Sequence, residues 1–239
     1  MKDIYLGLKF AFSYFSILPV RFSKNDDLSQ KKVLAFMLYF FPLVGLVIAS
    51  LSVGLFQLIS HLGWLGGIIS ALFYMMLYGF LHNEAVMDVA DGIYARHGGK
   101  DAYEIIKEPT VGALGVYWGV SLFILKVALI VYVFELGLLW EFVCVAVVSR
   151  FALVVLIKFL ELKSSFLSSL KNSLDVKYVA ILGFIVLIFV KIWIVGVLVA
   201  FVTAKIVKKK LGFINGDVMG TSLEVTEIVL LFSAVLLWA

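Results

Sequence analysis

Val111-Gly-Ala-Leu-Gly115-Val-Tyr-Trp-Gly-Val-Ser-Leu-Phe-Ile-Leu-Lys126-Val-Ala-Leu-Ile-Val-Tyr-Val-Phe134 contains a single charge, Lys126. A helix needs roughly 20 apolar residues to cross a bilayer's hydrocarbon core. Unbroken Leu, Val, Ile and Phe reads as helix, because a membrane barrel strand alternates apolar and polar positions. Similar stretches lie at 33–56, 63–81, 139–160, 179–206 and 218–238, with a shorter, interrupted one at 4–20 ending at Pro19. The 239 residues are 63% hydrophobic and 15% charged, and the mean hydropathy is +1.10. These values exclude an ordinary soluble domain. The expectation is an all-α, polytopic integral membrane bundle of about six to seven transmembrane helices, with an interfacial or partly inserted helix at the N-terminus. Residues 1–239 read as one membrane-embedded catalytic domain, and Met1 to Phe22, lacking a small-x-small cleavage site, is expected to be retained.

The connections divide by charge. Arg21, Lys24, Lys31 and Lys32 occupy the first, Lys158, Lys163, Lys171 and Lys177 flank the fourth span, and Lys205, Lys208, Lys209 and Lys210 precede the last. The connection at 135–141 holds Glu135 and Glu141 without a base, and that at 57–63 only His61. The positive-inside rule places the lysine connections in the cytoplasm, and the net charge of +4 reads as topology and contact with an anionic bilayer rather than nucleic-acid binding. As one helix, 179–206 would be ~42 Å long and would put the last lysines outside. A hairpin turning at Lys191 to Trp193 returns them; one long tilted helix is the alternative. Lys163 to Ser173 is serine-rich and reads as an amphipathic interfacial segment. Cys144 is the single cysteine, so no internal disulfide or cysteine metal site is indicated.

Chemistry enters at Leu81-His82-Asn-Glu84-Ala85-Val-Met-Asp88-Val-Ala-Asp91-Gly92-Ile-Tyr-Ala-Arg96. On a helix, Glu84, Asp88 and Asp91 follow i,i+4 and i,i+3 steps and share one stripe. Crowded carboxylates repel unless a cation joins them, and oxygen-only donors favour a hard divalent ion such as Mg²⁺. Glu104 and Glu108 form a second i,i+4 pair, or a solvated helix face paired with Lys100 and Lys107. Gly112-Ala-Leu-Gly115 permits close backbone approach at a helix start that can also receive phosphate. Gly216-Asp217-Val-Met-Gly220-Thr-Ser-Leu-Glu224-Val-Thr-Glu227 puts two acids inside a membrane helix, where ionisable groups are costly. Lys126 and Arg150 are their natural counter-charges, or contacts for substrate phosphates. His82 reads either as a base or as a packing residue, and the aromatic side chains read as packing and interfacial belt.

Taken in order, these patches resemble the cobalamin synthase family, the adenosylcobinamide-GDP ribazoletransferases. The resemblance runs from Leu18-Pro19-Val20 and Phe41-Pro42-Leu43-Val44-Gly45 through His82 to Gly92, against the family's His-Leu-Asp-Gly-Leu-Ala-Asp-x-x-Asp-Gly. It continues through Glu104-Ile-Ile-Lys107, Gly112-Ala-Leu-Gly115, Lys126 and Ser149-Arg150 to Gly216-Asp217-Val-Met-Gly220, Glu224 and Glu227. Glu84 and Ala85 replace the family's first aspartate and glycine, Lys107-Glu108-Pro109-Thr110 replaces Lys-Asp-Ser-Arg, and serines, phenylalanine and leucine replace its Ala-Arg and Gly-Leu-Gly near 163–170.

The resemblance implies a Mg²⁺-dependent transfer in nucleotide-loop assembly. In it, α-ribazole or its 5′-phosphate attacks the cobinamide-linked phosphorus of adenosylcobinamide-GDP, giving adenosylcobalamin or its 5′-phosphate and releasing GMP. It assigns Glu84, Asp88, Asp91, Glu104 and Glu108 to metal, and Asp88, Asp91, Asp217 and His82 to catalysis. Arg96, Lys107, Lys126, Arg150, Gly216 and Glu224 fall to substrate, in an active site facing the cytoplasm of a multi-pass protein of the cell membrane. A second copy of the chain is an open partner. Asp88-Val-Ala-Asp91-Gly92-Ile-Tyr-Ala95-Arg96 also fits the first half of the CDP-alcohol phosphotransferase signature; its second half, a glycine followed by two aspartates at four-residue steps, is absent, although Glu104 and Glu108 supply a similar pair. A cation-coupled transporter with Glu224, Glu227 and Lys126 as relay is the reading from another class.

Overall fold

The computed structural model describes residues 2–108, 110–189 and 193–238, and every regular element among them is helical. The N-terminal helix α1 (Lys2–Phe15) turns Leu6, Gly7, Ala11 and Phe15 inward, and Gly7 lets it lie directly on Phe36. It packs along α2 (Lys31–Tyr39), which continues across Phe40 into α3 (Phe41–Ile59). A 3₁₀ turn and Gly63, with φ +55°, lead into α4 (Trp64–Leu77).

The span expected at 63–81 stops at Leu77. Gly79 and Phe80 both take positive φ, 67° and 54°, and α5 (Leu81–His97) leaves at 79° to α4. A left-handed non-glycine residue costs about 1–2 kcal/mol, so other contacts must hold this bend. We read α5 as lying at the end of the bundle, outside the spanning segments. Short α6 (Ala102–Ile106) follows, started by the Asp101 side chain accepting from Tyr103 N–H at 2.9 Å. Pro109, expected to close it, lies outside the described residues.

The long helices α7 (Ala113–Glu135), α8 (Leu139–Phe159) and α12 (Gly216–Trp238) complete the body with α10 (Val176–Phe189) and α11 (Trp193–Leu211). Helix α8 is the axis, with 78% of its apolar window buried against 28% for peripheral α7. Among the described residues, by length and composition, four helices can cross a membrane singly, or five spans if the bent α4–α5 pair counts as one.

The 179–206 stretch is divided between α10 and α11. Near the start of α10, Lys158 Nζ, at the end of α8, donates to the Leu174 carbonyl at 2.7 Å. At the end of α11, Leu211 rests against Gly92, and Lys163 N–H donates to the Ile214 carbonyl at 2.7 Å. Between them Gly183 stands on Phe151, and Gly196 on Val148 and Leu230. A straight helix over 176–211 would part its ends by roughly 50 Å, so α10 leaves and α11 returns to one end of the bundle. The turn expected at Lys191 and the Trp193 side chain lie outside the described residues. Helix α9 (Ser165–Ser173) is amphipathic, burying Leu167, Leu170 and Ser173 and packing on α2 and α8 at this same end.

Candidate active site

Helices α5 and α12 cross closely because small residues meet. A side chain at Gly220 would strike Ala85, and Thr221 Oγ1 donates to the Ala85 carbonyl at 3.1 Å. The crossing brings the α5 stripe beside the head of α12. Asn215 caps that head, its Oδ1 accepting from Val218 N–H at 3.1 Å while its Nδ2 donates to Asp217 Oδ2 at 2.6 Å, which fixes the Asp217 carboxylate. Asp88 is half-buried; burial, and then the Asp217, Glu84 and Asp91 carboxylates, push it up to about 6. None of these four acids is in an ion pair among the described residues.

Asp91 is held differently from its neighbours on the stripe. Its Oδ2 accepts from Gly112 N–H at 2.6 Å and its Oδ1 from Gly115 N–H at 2.8 Å. It therefore caps α7 from another helix and occupies the amides proposed above for a phosphate. Gly112 and Gly115 have no room for a side chain against this carboxylate, and Gly119 similarly admits Met87.

Other expected site residues are dispersed. Glu104 and Glu108 are exposed; Glu104 pairs with Lys107 at 3.0 Å, and Lys107 lies over the Tyr103 ring at 4.0 Å. The solvated-face alternative thus describes Glu104. Glu108 shares with Asp91 the lining of an open cavity of ≈ 530 Å³ at the start of α7. Arg96 Nη1 donates to the Lys210 carbonyl at 2.7 Å, capping α11 beside Gly212, whose φ of +92° excludes most side chains. His82 is buried and stacks on Tyr78, with ring centroids 5.5 Å apart. Burial, reinforced by the Arg150 charge, pushes it down to about 3, so it is a neutral imidazole. With exposed Gly216 and with Asp217 it lines a second cavity of ≈ 200 Å³.

Lys126, Arg150 and Glu224 are joined through Glu227 in one network, apart from the α5 carboxylates. Lys126 Nζ lies 2.7 Å from Glu224 Oε2 and 2.6 Å from Glu227 Oε2, and Arg150 Nη1 lies 2.6 Å from Glu227 Oε1. All four side chains are at most 2% exposed. Tyr74 Oη and Ser149 Oγ donate to Glu227 at 2.7 and 3.0 Å. The Tyr78 hydroxyl receives Lys126 Nζ at 3.1 Å and has two acceptors, Glu224 Oε1 and Asn83 Oδ1, each at 3.1 Å. Sequence reasoning gave the aromatic residues to packing and so missed Tyr74 and Tyr78. The signal was their i,i+4 spacing on a helix facing two buried acids. Tyr78 also ties α4 and α12 to the first turn of α5, which holds the bend at Phe80.

A bundle of apolar helices with carboxylates gathered at one end, without cationic partners among the described residues, defines a helical membrane protein with a polar site at that end. The family described as Cobalamin-5-phosphate synthase matches residues 7–235, and the chain belongs to it. It is similar to the adenosylcobinamide-GDP ribazoletransferase of Clostridium botulinum (strain Alaska E43 / Type E3), 29% identical with 99% of each chain covered. The proteins of the same name from Brevibacillus brevis and Desulforamulus reducens are 28% and 26% identical, over 95% and 96% of this chain and 97% and 96% of theirs. No solved structure matches.

Proposed function

We propose that this chain is, as one catalytic domain, an adenosylcobinamide-GDP ribazoletransferase: ribazole, free or as its 5′-phosphate, takes the cobinamide phosphoryl group and GMP departs. The observation that carries this reading is the family match over residues 7–235. The ribazole hydroxyl oxygen bonds to the cobinamide-linked phosphorus, the bond from that phosphorus to the GMP oxygen breaks, and the hydroxyl proton passes to a carboxylate. Asp217 would receive it at Oδ1, a reading supported by Asn215 engaging only Oδ2. Glu84 and Asp88 border the same point from α5, and Asp91 acts one step removed, by fixing α7 against α5.

The donor set fits Mg²⁺, which binds one or two carboxylates and fills its shell with water and phosphate oxygens. Among the described residues no three Asp, Glu, His or Cys side chains are grouped to hold a metal ion, so the chain itself would offer no more than two ligands. Asp88, with Glu84 or Asp217, would hold it. What Mg²⁺ supplies when bound is neutralisation of the diphosphate oxygens and of the leaving GMP. The lysines at 208–210 adjoin the same end of the bundle, which supports a cell-membrane protein whose site faces the cytoplasm.

The test is GMP release from adenosylcobinamide-GDP by the purified chain on addition of ribazole, with Mg²⁺ titrated from a chelated start. No release with either acceptor at any Mg²⁺ concentration overturns the reading.

A further inference from the structure

The cavity that His82 and Asp217 line has not been given a ligand. One wall is the amphipathic helix α9, through Phe166, Leu167 and Leu170, and Tyr14 of α1 closes over it with its ring centroid 5.7 Å from that of Phe166. Leu153 and Ile157 of α8, both buried, form the back.

At ≈ 200 Å³ the space is below the roughly 300–1,000 Å³ of pockets that enclose a drug-sized ligand. It suits one ring system and cannot take a corrin. Its chemistry selects among the remaining pieces of the two substrates. A guanine placed there would find only His82, Asp217 and the Tyr14 hydroxyl as polar side-chain groups for its amide, amino and ring nitrogens, and with Asp217 engaged by the acceptor hydroxyl most of them would face leucine, isoleucine and phenylalanine unpaired, which is costly. A flat, apolar, bicyclic base incurs no such penalty, and the aromatic rings at the mouth give it faces to stack on.

Asp217 belongs both to this cavity and to the acid cluster. A nucleoside with its base inside therefore delivers its ribose hydroxyl to Asp217, the side chain that receives the proton. Resting on the ribazoletransferase reading above, we infer that this cavity binds the benzimidazole base of the acceptor, and that Leu167 and Leu170 set which base fits. Both leucines fall in the 163–170 stretch, where the sequence leaves the family pattern.

The test uses the full chain in detergent, with GMP release measured while each substrate is varied in turn. Leu167→Trp and Leu170→Phe fill the cavity, and Phe166→Ala removes the exposed stacking face without disturbing a buried side chain. In each variant the KM for ribazole is expected to rise about 10-fold or more, the scale at which a hydrophobic pocket discriminates by one methylene. The KM for adenosylcobinamide-GDP and the rate at saturating ribazole should stay within about twofold, as for lost ground-state binding alone. If a filled variant fails to fold, Phe166→Ala decides.

A folded variant with an unchanged ribazole KM, as would follow if a lipid chain occupied the cavity, overturns the inference. So does one in which the adenosylcobinamide-GDP KM rises instead. Absence of GMP release in the unmodified chain would refute the transferase reading itself, and is thus distinguishable from either result.

Discussion

Replacing Glu227 by Gln probes the buried network at its most connected carboxylate. Its Oε1 receives Arg150, Tyr74 and Ser149, and its Oε2 lies 2.6 Å from Lys126. With Glu224 the four charges sum to zero, two cations against two anions. The substitution keeps the shape and removes one negative charge, leaving Lys126 and Arg150 with a single counter-ion. At an effective dielectric near 20, each ion pair at about 3 Å is worth roughly 5 kcal/mol of gross attraction. Desolvation offsets much of that, and breaking a buried pair from one side costs about 3–5 kcal/mol net. For a chain of this length 1 kcal/mol moves the melting temperature by about 2–4 °C. Glu227→Gln should therefore melt about 6–20 °C lower, read by thermal unfolding in detergent.

Lys126→Met with Glu224→Leu removes one charge of each sign and leaves the Arg150–Glu227 pair intact. That double variant should cost less than its two single substitutions added together, by at least about 1 kcal/mol, because the residues are in direct contact. A Glu227→Gln protein melting within about 2–4 °C of the parent would refute the reasoning. If it also lost turnover, Glu227 would have to be reassigned to the substrate.

Three further outcomes follow from the site. Asp88→Asn should abolish GMP release without lowering the melting temperature, since it removes a carboxylate crowded by three others; near-normal turnover would remove Asp88 from the proposed metal site. Asp91→Ala orphans the Gly112 and Gly115 amides and should destabilise by about 1–2 kcal/mol, the scale of a lost helix cap; a stable but inactive protein would instead make Asp91 a ligand. A cysteine at Lys209 should react with a membrane-impermeant thiol reagent only in inverted vesicles, and labelling of intact cells would reverse the proposed orientation.

The bundle was legible because an apolar helix of membrane length leaves few alternatives, and the α5 stripe because i,i+3 and i,i+4 spacing fixes which side chains share a face. The paired ends of 176–211 followed from charge: lysines at 177 and at 208–210 had to reach the same side. The site was less legible. Asp91 lies 21 residues from Gly112, and nothing in a local pattern distinguishes a carboxylate that will cap a distant helix from one that will meet a cation. The 63–81 segment reads as an uninterrupted span because Phe80 is apolar. Its left-handed backbone is imposed by tertiary contacts, the Tyr78 hydroxyl among them, and the chain has no local preference for it. Glu104 and Glu108 invited a second metal pair on spacing alone; in the fold Glu104 is exposed and pairs with Lys107, while Glu108, beyond the end of α6, lines a cavity with Asp91.

The two groups of acids in this chain differ in how they are neutralised, and that difference divides structure from chemistry. Inside the bundle, where an uncompensated charge is costly, Glu224 and Glu227 are matched one for one by Lys126 and Arg150. At the end of the bundle Glu84, Asp88 and Asp217 have no cationic side chain paired with them among the described residues, although the chain carries 20 lysines and arginines. On the proposed function such a cluster, anionic in a protein with a cationic surplus, would take a positive charge from outside; burial first, and then the neighbouring carboxylates, raise Asp88 to about 6. Tyr78 joins the two groups, with Lys126 and Glu224 on one side of its hydroxyl and Asn83, the neighbour of Glu84, on the other. The neutral network thus adjoins the bend from which α5 presents its acids, and if those acids meet the substrate as proposed, Tyr78→Phe, which breaks that link without emptying the space, should impair turnover more than it impairs folding.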